Sequence, residues 1–305
     1  MSQLTIDQGA KLTFQNNFYI KAQETNNFLA RSSACVYIPA MGKTHNMGRM
    51  GATELQKVTG RNALKQYADY FLDNRQFTRS QYTRTFQISS KQDINELIAD
   101  PTSDLLNQLN TAKDRAIERE IVQGALGNVL IGAPDETPTS TSAADDGVLT
   151  VTATGGIGYD SIQEITQNFI NNRLSMQDFR GSTISLTGKE HTDLMGISQF
   201  ISNDFISGYP VDTGAMLKTG MYGVNVYAGS VLGGVTVANP ILPEGDTTRD
   251  CLVLAPNSIA ISYDVGRLDV ERANDRANSY DITIDLIVGV MRIEGAKVQK
   301  LVTTI

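Results

Sequence analysis

Several short stretches hold residue types that could do chemistry. GGIGYDS (155–161) sits between an alternating apolar run and an amphipathic one, where a dinucleotide-binding turn would cradle a phosphate. Its spacing, Gly156-x-Gly158-x-x-Ser161, lacks the third glycine, and no βαβ unit with an acidic ribose partner follows, so a plain turn accounts for it better. The chain also has no G-x-x-x-x-G-K-[ST]. GKEHTD brings Glu190, His191 and Asp193 close together, but a catalytic histidine needs a nucleophile, and neither G-x-S-x-G nor a reactive-cysteine context is present. A solvent-facing helix start is the better account. His45, in THN, has no second ligand nearby, and the two histidines and two cysteines form no C-x-x-C or H-x-x-x-H, so a zinc site lacks ligands. Cys35 and Cys251 read as isolated buried thiols, with a disulfide or thiol function as the alternative. RLDVERANDRANSYD interleaves Arg267, Asp269, Glu271, Arg272, Asp275 and Arg276, whereas a metal site would want acids without arginines. It reads as a solvated or subunit-facing surface. The expectation is a protein that is not an enzyme, with no catalytic, cofactor-binding or metal-ligating residues.

The basic residues carry a different signal. The net charge is −7, yet residues 43–91 hold nine Lys/Arg against three acids, an excess of +6, while residues 92–305 sum to −14. A basic segment on an acidic body suits nucleic-acid contact or self-complementarity between copies, and the sign of the body argues against extended DNA binding. Arg49, Lys57, Arg61, Arg75, Arg79 and Arg84 are therefore candidate intersubunit contacts on a protruding loop.

These residues must be positioned by a mixed set of elements. At 305 residues the chain can bury a large core, and 41% hydrophobic with 19% charged residues is ordinary globular composition. No apolar run approaches a membrane span, and the N-terminus has neither a basic start nor an apolar h-region, so a reducing cytosol is the expected site of synthesis. Near the C-terminus, ITIDLIVGVMRIE places Ile282, Ile284, Leu286, Val288 and Val290 on one face by period-two alternation, and the other face is only partly apolar. Thirteen such residues span about 43 Å, twice the usual strand. A long helix is expected from Thr102 to about Gln123, ended by Gly124 and Gly127, with Leu105, Leu109, Ala112 and Ala116 continued by Leu106, Ile117 and Ile121 as its apolar stripe. Lys113, Asp114, Glu118 and Arg119 fall on the opposite, solvated face. Residues 132–147 read as a surface loop. VLTVTATGG, ISLTG, MYGVNVYAGSVL and DCLVLAP read as strands, YDSIQEITQNFINNRL and KEHTDLMG as helices, and TRTFQI as the end of an alternating strand. The fold class is α+β.

The order of these pieces resembles the major capsid proteins of tailed bacteriophages, the Hong Kong 97-type shell fold. A polar arm precedes a basic extended loop; NELIADPTSDLLNQLNTAKDRAIEREIVQGALG looks like that family's spine helix, SLTGKEHTDLM its strand-then-helix segment, and IVGVMRIEGAKVQKLVT its terminal strands. The resemblance implies an N-terminal arm (1–35), an extended β-hairpin loop (36–86), a peripheral domain (87–150 and 259–295) with the spine helix on a long sheet, and an axial domain (151–258 and 296–305). It implies hexamers and pentamers of an icosahedral head around double-stranded DNA held without sequence-specific contacts, assembled in the host bacterial cytoplasm. With no scaffolding region before the arm, the implied scaffold is a separate protein, or one removed before this sequence was defined, beside a portal and decoration proteins; no cofactor and no membrane are implied. The long strand would brace a flat subunit, and its half-apolar second face would be covered by helix or by another copy. An encapsulin-like compartment and a metabolic α+β enzyme are the alternative readings.

Overall fold

The computed structural model describes residues 29–39, 42–51, 57, 72–88, 102–132, 137–172, 181–186, 220–221, 224–228, 248–272 and 280–304, and between these the single positions 174, 178, 190, 193, 196 and 197. The polar arm up to residue 28, Arg61, the terminal Ile305, and most of KEHTDLMG and of RANDRANSYD lie outside the described residues. In chain order the elements are β1 (Cys35–Tyr37), β2 (Thr44–Met50), β3 (Leu72–Thr78), β4 (Ser80–Ile88), α1 (Thr102–Leu126), β5 (Val129–Gly132), β6 (Thr139–Thr141) and β7 (Leu149–Ala153). There follow α2 (Tyr159–Asn171), β8 (Ser182–Leu186), β9 (Gly220–Met221), β10 (Val224–Ala228), β11 (Thr248–Leu254), β12 (Ile259–Arg272), β13 (Tyr280–Arg292) and β14 (Val298–Thr304). They form three sheets: β1-β12-β13-β4, β7-β14-β11-β8-β10-β9, and β2-β3-β5-β6.

The expected long strand is β13, and it is the slab on which the rest is laid. It pairs antiparallel with β12 along its whole length, with one register shift between Val265 and Arg267, and on its other edge with β4 from Tyr280↔Ile88 to Val288↔Ser80. TRTFQI thus belongs to the long sheet rather than to the protruding loop. Ile282, Ile284, Leu286 and Val288 are buried, as the alternation requires. Against them lies α1: Leu109 packs with Ile282 and Ile284, and Ile117, Ile121, Val122 and Ala125 pack with Leu286 and Val288. The helix has 25 residues, about 38 Å at 1.5 Å per residue, close to the ~43 Å of the strand beneath it. Two elements of matched length meet in two apolar clusters, one around Leu109 and one around Ile117 and Ile121.

The helix departs from expectation at two places. It does not end at Gly124 but runs to Leu126, because that glycine is where helix and strand cross most closely. A Cβ on Gly124 would stand 2.7 Å from Val290 Cγ1, so the missing side chain serves packing rather than termination. Glu118, assigned to the solvated face, is 1% exposed and accepts a hydrogen bond from the Leu29 N–H at 3.2 Å. It secures the turn Leu29–Arg31, whose Leu29 fills the same core before the chain enters β1, parallel to β12.

The second face of β13 is covered by the chain itself at one end. Phe77 of β3 buries Met291 and Ala260, with Ile38, Met47 and Ile293 at the margin. Gly289 permits this: a Cβ there would lie 2.8 Å from the Phe77 ring and 2.9 Å from Arg79 Cγ. Toward the other end, Thr283, Asp285 and Ile287 stay half-buried.

In the six-stranded sheet, α2 lays Ile162, Ile165 and Phe169 on Val151, Ala153, Ile184, Leu186, Cys251, Val253 and Leu301. Strand β11 joins the two cores: Cys251 and Val253 face α2, whereas Leu252 and Leu254 enter the cluster under α1. A strand buried on both faces reads as an uninterrupted apolar run, which is why CLVL shows no alternation. The short turn Gly295–Lys297 carries the chain from β13 to β14 and so from one sheet to the other.

The seam can be tested directly. Leu109→Ala removes a side chain that is 1% exposed, and it should lower stability by about 2–5 kcal/mol, read as a lower urea midpoint. An unchanged midpoint would mean that Leu109 does not pack on Ile282 and Ile284.

Candidate assembly surface

The hairpin β2–β3 continues into β5 and β6 as a four-stranded sheet, and ion pairs hold its middle and its loop end. Along β3 the side chains alternate so that Asp73, Arg75 and Phe77 point inward. Arg75 meets Asp146, delivered by the turn after β6, in which Asp146 N–H donates to Ser142 O at 3.1 Å and Gly147 adopts a positive φ of 90°. Arg75 Nη2 lies 2.5 Å from Asp146 Oδ1, and Arg75 Nη1 lies 2.9 Å from Oδ2. Arg292, the last residue of β13, donates its Nε–H to the same Oδ2 at 2.7 Å. Its Nη1 then donates to the carbonyls of Ala125 (2.6 Å) and Gly127 (3.1 Å), and Arg75 Nη1 donates to Arg292 O at 3.1 Å. The three side chains are 1%, 4% and 0% exposed.

One carboxylate between two arginines leaves an excess positive charge in the interior. The carbonyls at the end of α1 take it up, because a helix C-terminus carries about half a negative charge. Burial by itself would raise the Asp146 carboxyl, but hydrogen bonds and charge from Arg75 and Arg292 outweigh it and hold the group below the ordinary carboxylate value. Burial also pulls the Arg292 guanidinium below its usual range, against the opposing pull of Asp146. Gly295 presses against the other side: a Cβ there would coincide with the Asp146 carbonyl. Hairpin, helix end, long strand and intersheet turn therefore meet at one carboxylate. The expected surface loop at 132–147 in fact contains β6 and this buried acid.

The candidate contact residues divide sharply. Arg75 is corrected: its guanidinium is buried within its own chain and cannot reach a neighbour. Arg49 pairs across the hairpin with Asp73, Nη2 to Oδ2 at 2.6 Å, and this bond raises its pKa. Arg79 sits at the corner where the chain leaves β3 for β4; its stem crosses Gly289, and its Nε and Nη1 are buried with no hydrogen-bond partner among the described residues. Arg84 is exposed on β4 with its guanidinium 6.0 Å from the Phe86 ring centre, and Lys57 is exposed. Arg61 lies outside the described residues. Exposed apolar side chains also occur on the hairpin and the long sheet: Met50 on β2, Tyr37 on β1, Tyr82 on β4 and Val265 on β12.

GGIGYDS is a turn, with Gly155 and Gly156 at φ 83° and 112°, leading into α2. Glu190 is corrected from a solvent-facing position: it is fully buried and accepts a hydrogen bond from Thr303 Oγ1 at 2.9 Å. His191 lies outside the described residues. His45 stacks on Phe77, with ring centres 5.2 Å apart and planes 16° from parallel. Cys35 and Cys251 are both free thiols, and burial pushes the Cys35 thiol up to about 12. Among the described residues no group of three or more His, Cys, Asp or Glu could hold a metal, and no helix is long and apolar enough to cross a membrane.

No protein-family model and no curated protein matches the chain. Solved structures do. The chain is similar to the capsid structure of the cyanophage P-SCSP1u (TM-score 0.62, 12% identity, 96% of this chain and 93% of that one). It is similar to the mature capsid of bacteriophage PhiM1 (TM-score 0.64, 11% identity, 94% and 92%) and to the acid-stable capsid of Helicobacter pylori bacteriophage KHP30 (TM-score 0.63, 8% identity, 100% and 98%). The chain has the fold of these capsid proteins, over nearly its whole length and theirs.

Two consequences concern the anchor. Asp146→Ala leaves two buried guanidinium groups without their carboxylate and should destabilise the protein by about 3–5 kcal/mol in urea unfolding. Because the folded-state pKa of Asp146 is depressed, its contribution is complete above the unfolded value of about 3.9 and is lost as pH falls through the lower folded value. The stability gap between wild type and Asp146→Ala should therefore be constant from pH 7 to about 5 and narrow below about 4. A gap independent of pH would show that the carboxylate is not the charged partner.

Proposed function

We propose that this chain is a major capsid protein, which self-assembles into the icosahedral head shell around the double-stranded DNA of a tailed bacteriophage. The observation that carries the reading is the end-to-end likeness to phage capsid structures at about 10% identity, where the fold persists without the sequence. The geometry is consistent with it: a long sheet with a matched helix, a firmly rooted hairpin, and basic residues on an otherwise acidic chain. In this reading the hairpin β2–β3 is the extended loop, the β1-β12-β13-β4 sheet with α1 is the peripheral domain, and the six-stranded sheet with α2 is the axial domain. Lys57, Arg61, Arg79 and Arg84 face the acidic surface of neighbouring copies in hexamers and pentamers. DNA is enclosed without base-specific contacts, and the shell is built in the host bacterial cytoplasm with a separate scaffolding protein, a portal and decoration proteins.

Light scattering and electron microscopy of the expressed chain, with and without a co-expressed scaffold, test this. Closed shells are expected; a monodisperse monomer under every assembly condition would overturn the reading. Shells that carry a protein cargo instead of DNA would point to an encapsulin-like compartment.

The charge distribution adds a second expectation. Single exposed ion pairs contribute only ~0–1 kcal/mol, but contacts repeated around every subunit act together. Lys57, Arg61 and Arg84 changed together to Glu should leave the circular dichroism spectrum unchanged and stop assembly. Wild-type assembly should weaken in 1 M salt, where the Debye length is ~3 Å. Normal shells from the triple variant would show that these charges only keep the loop solvated.

A further inference from the structure

At the corner between hairpin and long sheet, an open cleft of about 710 Å³ is lined by Lys43, Thr78, Arg79, Ser80, Gln81 and Ile287. Two cations, two hydroxyls and an amide therefore surround a space whose floor is the half-buried second face of β13. The cleft is held in shape from both sides. Arg79 N–H donates to Lys43 O at 2.9 Å, which pins the two basic residues to each other's backbone, and the Arg79 stem is seated on Gly289. Arg79 Nε and Nη1 are sequestered from solvent yet have no hydrogen-bond partner among the described residues. A guanidinium left so is costly, and such groups in folded proteins are normally paired. The contrast with Arg49, Arg75 and Arg292 is direct, since each of those has its carboxylate within the chain.

We infer that this cleft is a receptor for a carboxylate side chain from a second copy of the chain. The inference rests on the shell reading and adds to it a specific socket. Charge complementarity selects the occupant: the cleft belongs to the segment of charge +6, and residues 92–305 of a neighbouring copy carry −14. A carboxylate entering it accepts from the Arg79 guanidinium and lies beside the Lys43 ammonium, giving charge-assisted hydrogen bonds at the mouth of an open cleft. The hydroxyls of Thr78 and Ser80 and the Gln81 amide can satisfy the remaining lone pairs. The site is incomplete in one copy and complete in two, so that filling it couples hairpin placement to assembly.

The test uses zero-length carbodiimide coupling on particles assembled from mixed unlabelled and ¹⁵N-labelled chains. Lys43 should be joined by an amide bond to an Asp or Glu, and linked peptides should include mixed-isotope pairs, which only two different copies can give. Arg79→Gln should raise the subunit concentration needed for assembly by about tenfold, as expected for the loss of one charge-assisted contact. The cross-link needs no variant, so it decides the matter even if Arg79→Gln folds poorly. Particles in which Lys43 is unlinked, or linked without mixed-isotope pairs, would overturn the socket and leave the shell reading intact. An Arg79→Gln defect confined to DNA-filled particles would assign the cleft to phosphate instead. A wild-type chain that forms no particles would overturn both.

Discussion

The placement of the β2–β3 hairpin depends on a single buried carboxylate. Asp146 receives Arg75 from the hairpin and Arg292 from the end of the long strand, and Arg292 in turn binds the last carbonyls of α1. Removing two cations and an anion from water costs free energy that their attraction only partly returns, so the triad adds less net stability than its short distances suggest. Its consequence is positional. A guanidinium fork has one good orientation on a carboxylate, and a misplaced hairpin would leave charge buried and unpaired. Apolar contacts such as Phe77 on Met291 tolerate sliding, whereas this arrangement does not.

From that point the two faces of β13 acquire different roles. On one face the alternation of Ile282, Ile284, Leu286 and Val288 supports α1 along its length. On the other, only the end near the triad is covered by the hairpin, because Gly289 lets Phe77 and the Arg79 stem lie against the strand. The remainder, around Ile287, is left as the floor of the cleft. Rooting the hairpin at one end of the strand thus creates both a covered core and an uncovered polar corner.

The elements with strong periodicity were legible in the sequence, and the groups that join them were not. Period-two alternation located β13, and the i, i+3, i+4 stripe located α1, because burial of one face imposes those spacings on the chain itself. Asp146 lies in a segment of Ser, Thr and Asp, where a solvated acid and a buried one look the same. Its partners are 71 and 146 positions away. Glu118 sat among charged neighbours at helical spacing, and its partner, the Leu29 N–H, is 89 positions distant. Gly124 carried the signature of a helix end, yet its meaning came from Val290 across the interface. Each error has one cause: a polar or small residue was read by its local context although its environment is set by tertiary contact.

The same distinction changes what the charge asymmetry means. The excess of +6 makes the basic residues of the segment candidate contacts, but Arg49 is neutralised by Asp73 and Arg75 by Asp146. Asp73 belongs to the segment and Asp146 does not, so pairing consumes charge from both the basic and the acidic part of the chain. Arg49, near the loop end of the hairpin, and Arg75, in its middle, are spent on ion pairs within the chain. The proposed recognition then falls to the corner, to Lys43 and Arg79, and to exposed positions such as Lys57 and Arg84. A hairpin fixed by internal ion pairs loses little conformational freedom when its remaining charges meet a partner. Pre-organisation of that kind lowers the cost of association, and in a closed shell the saving recurs at every equivalent contact.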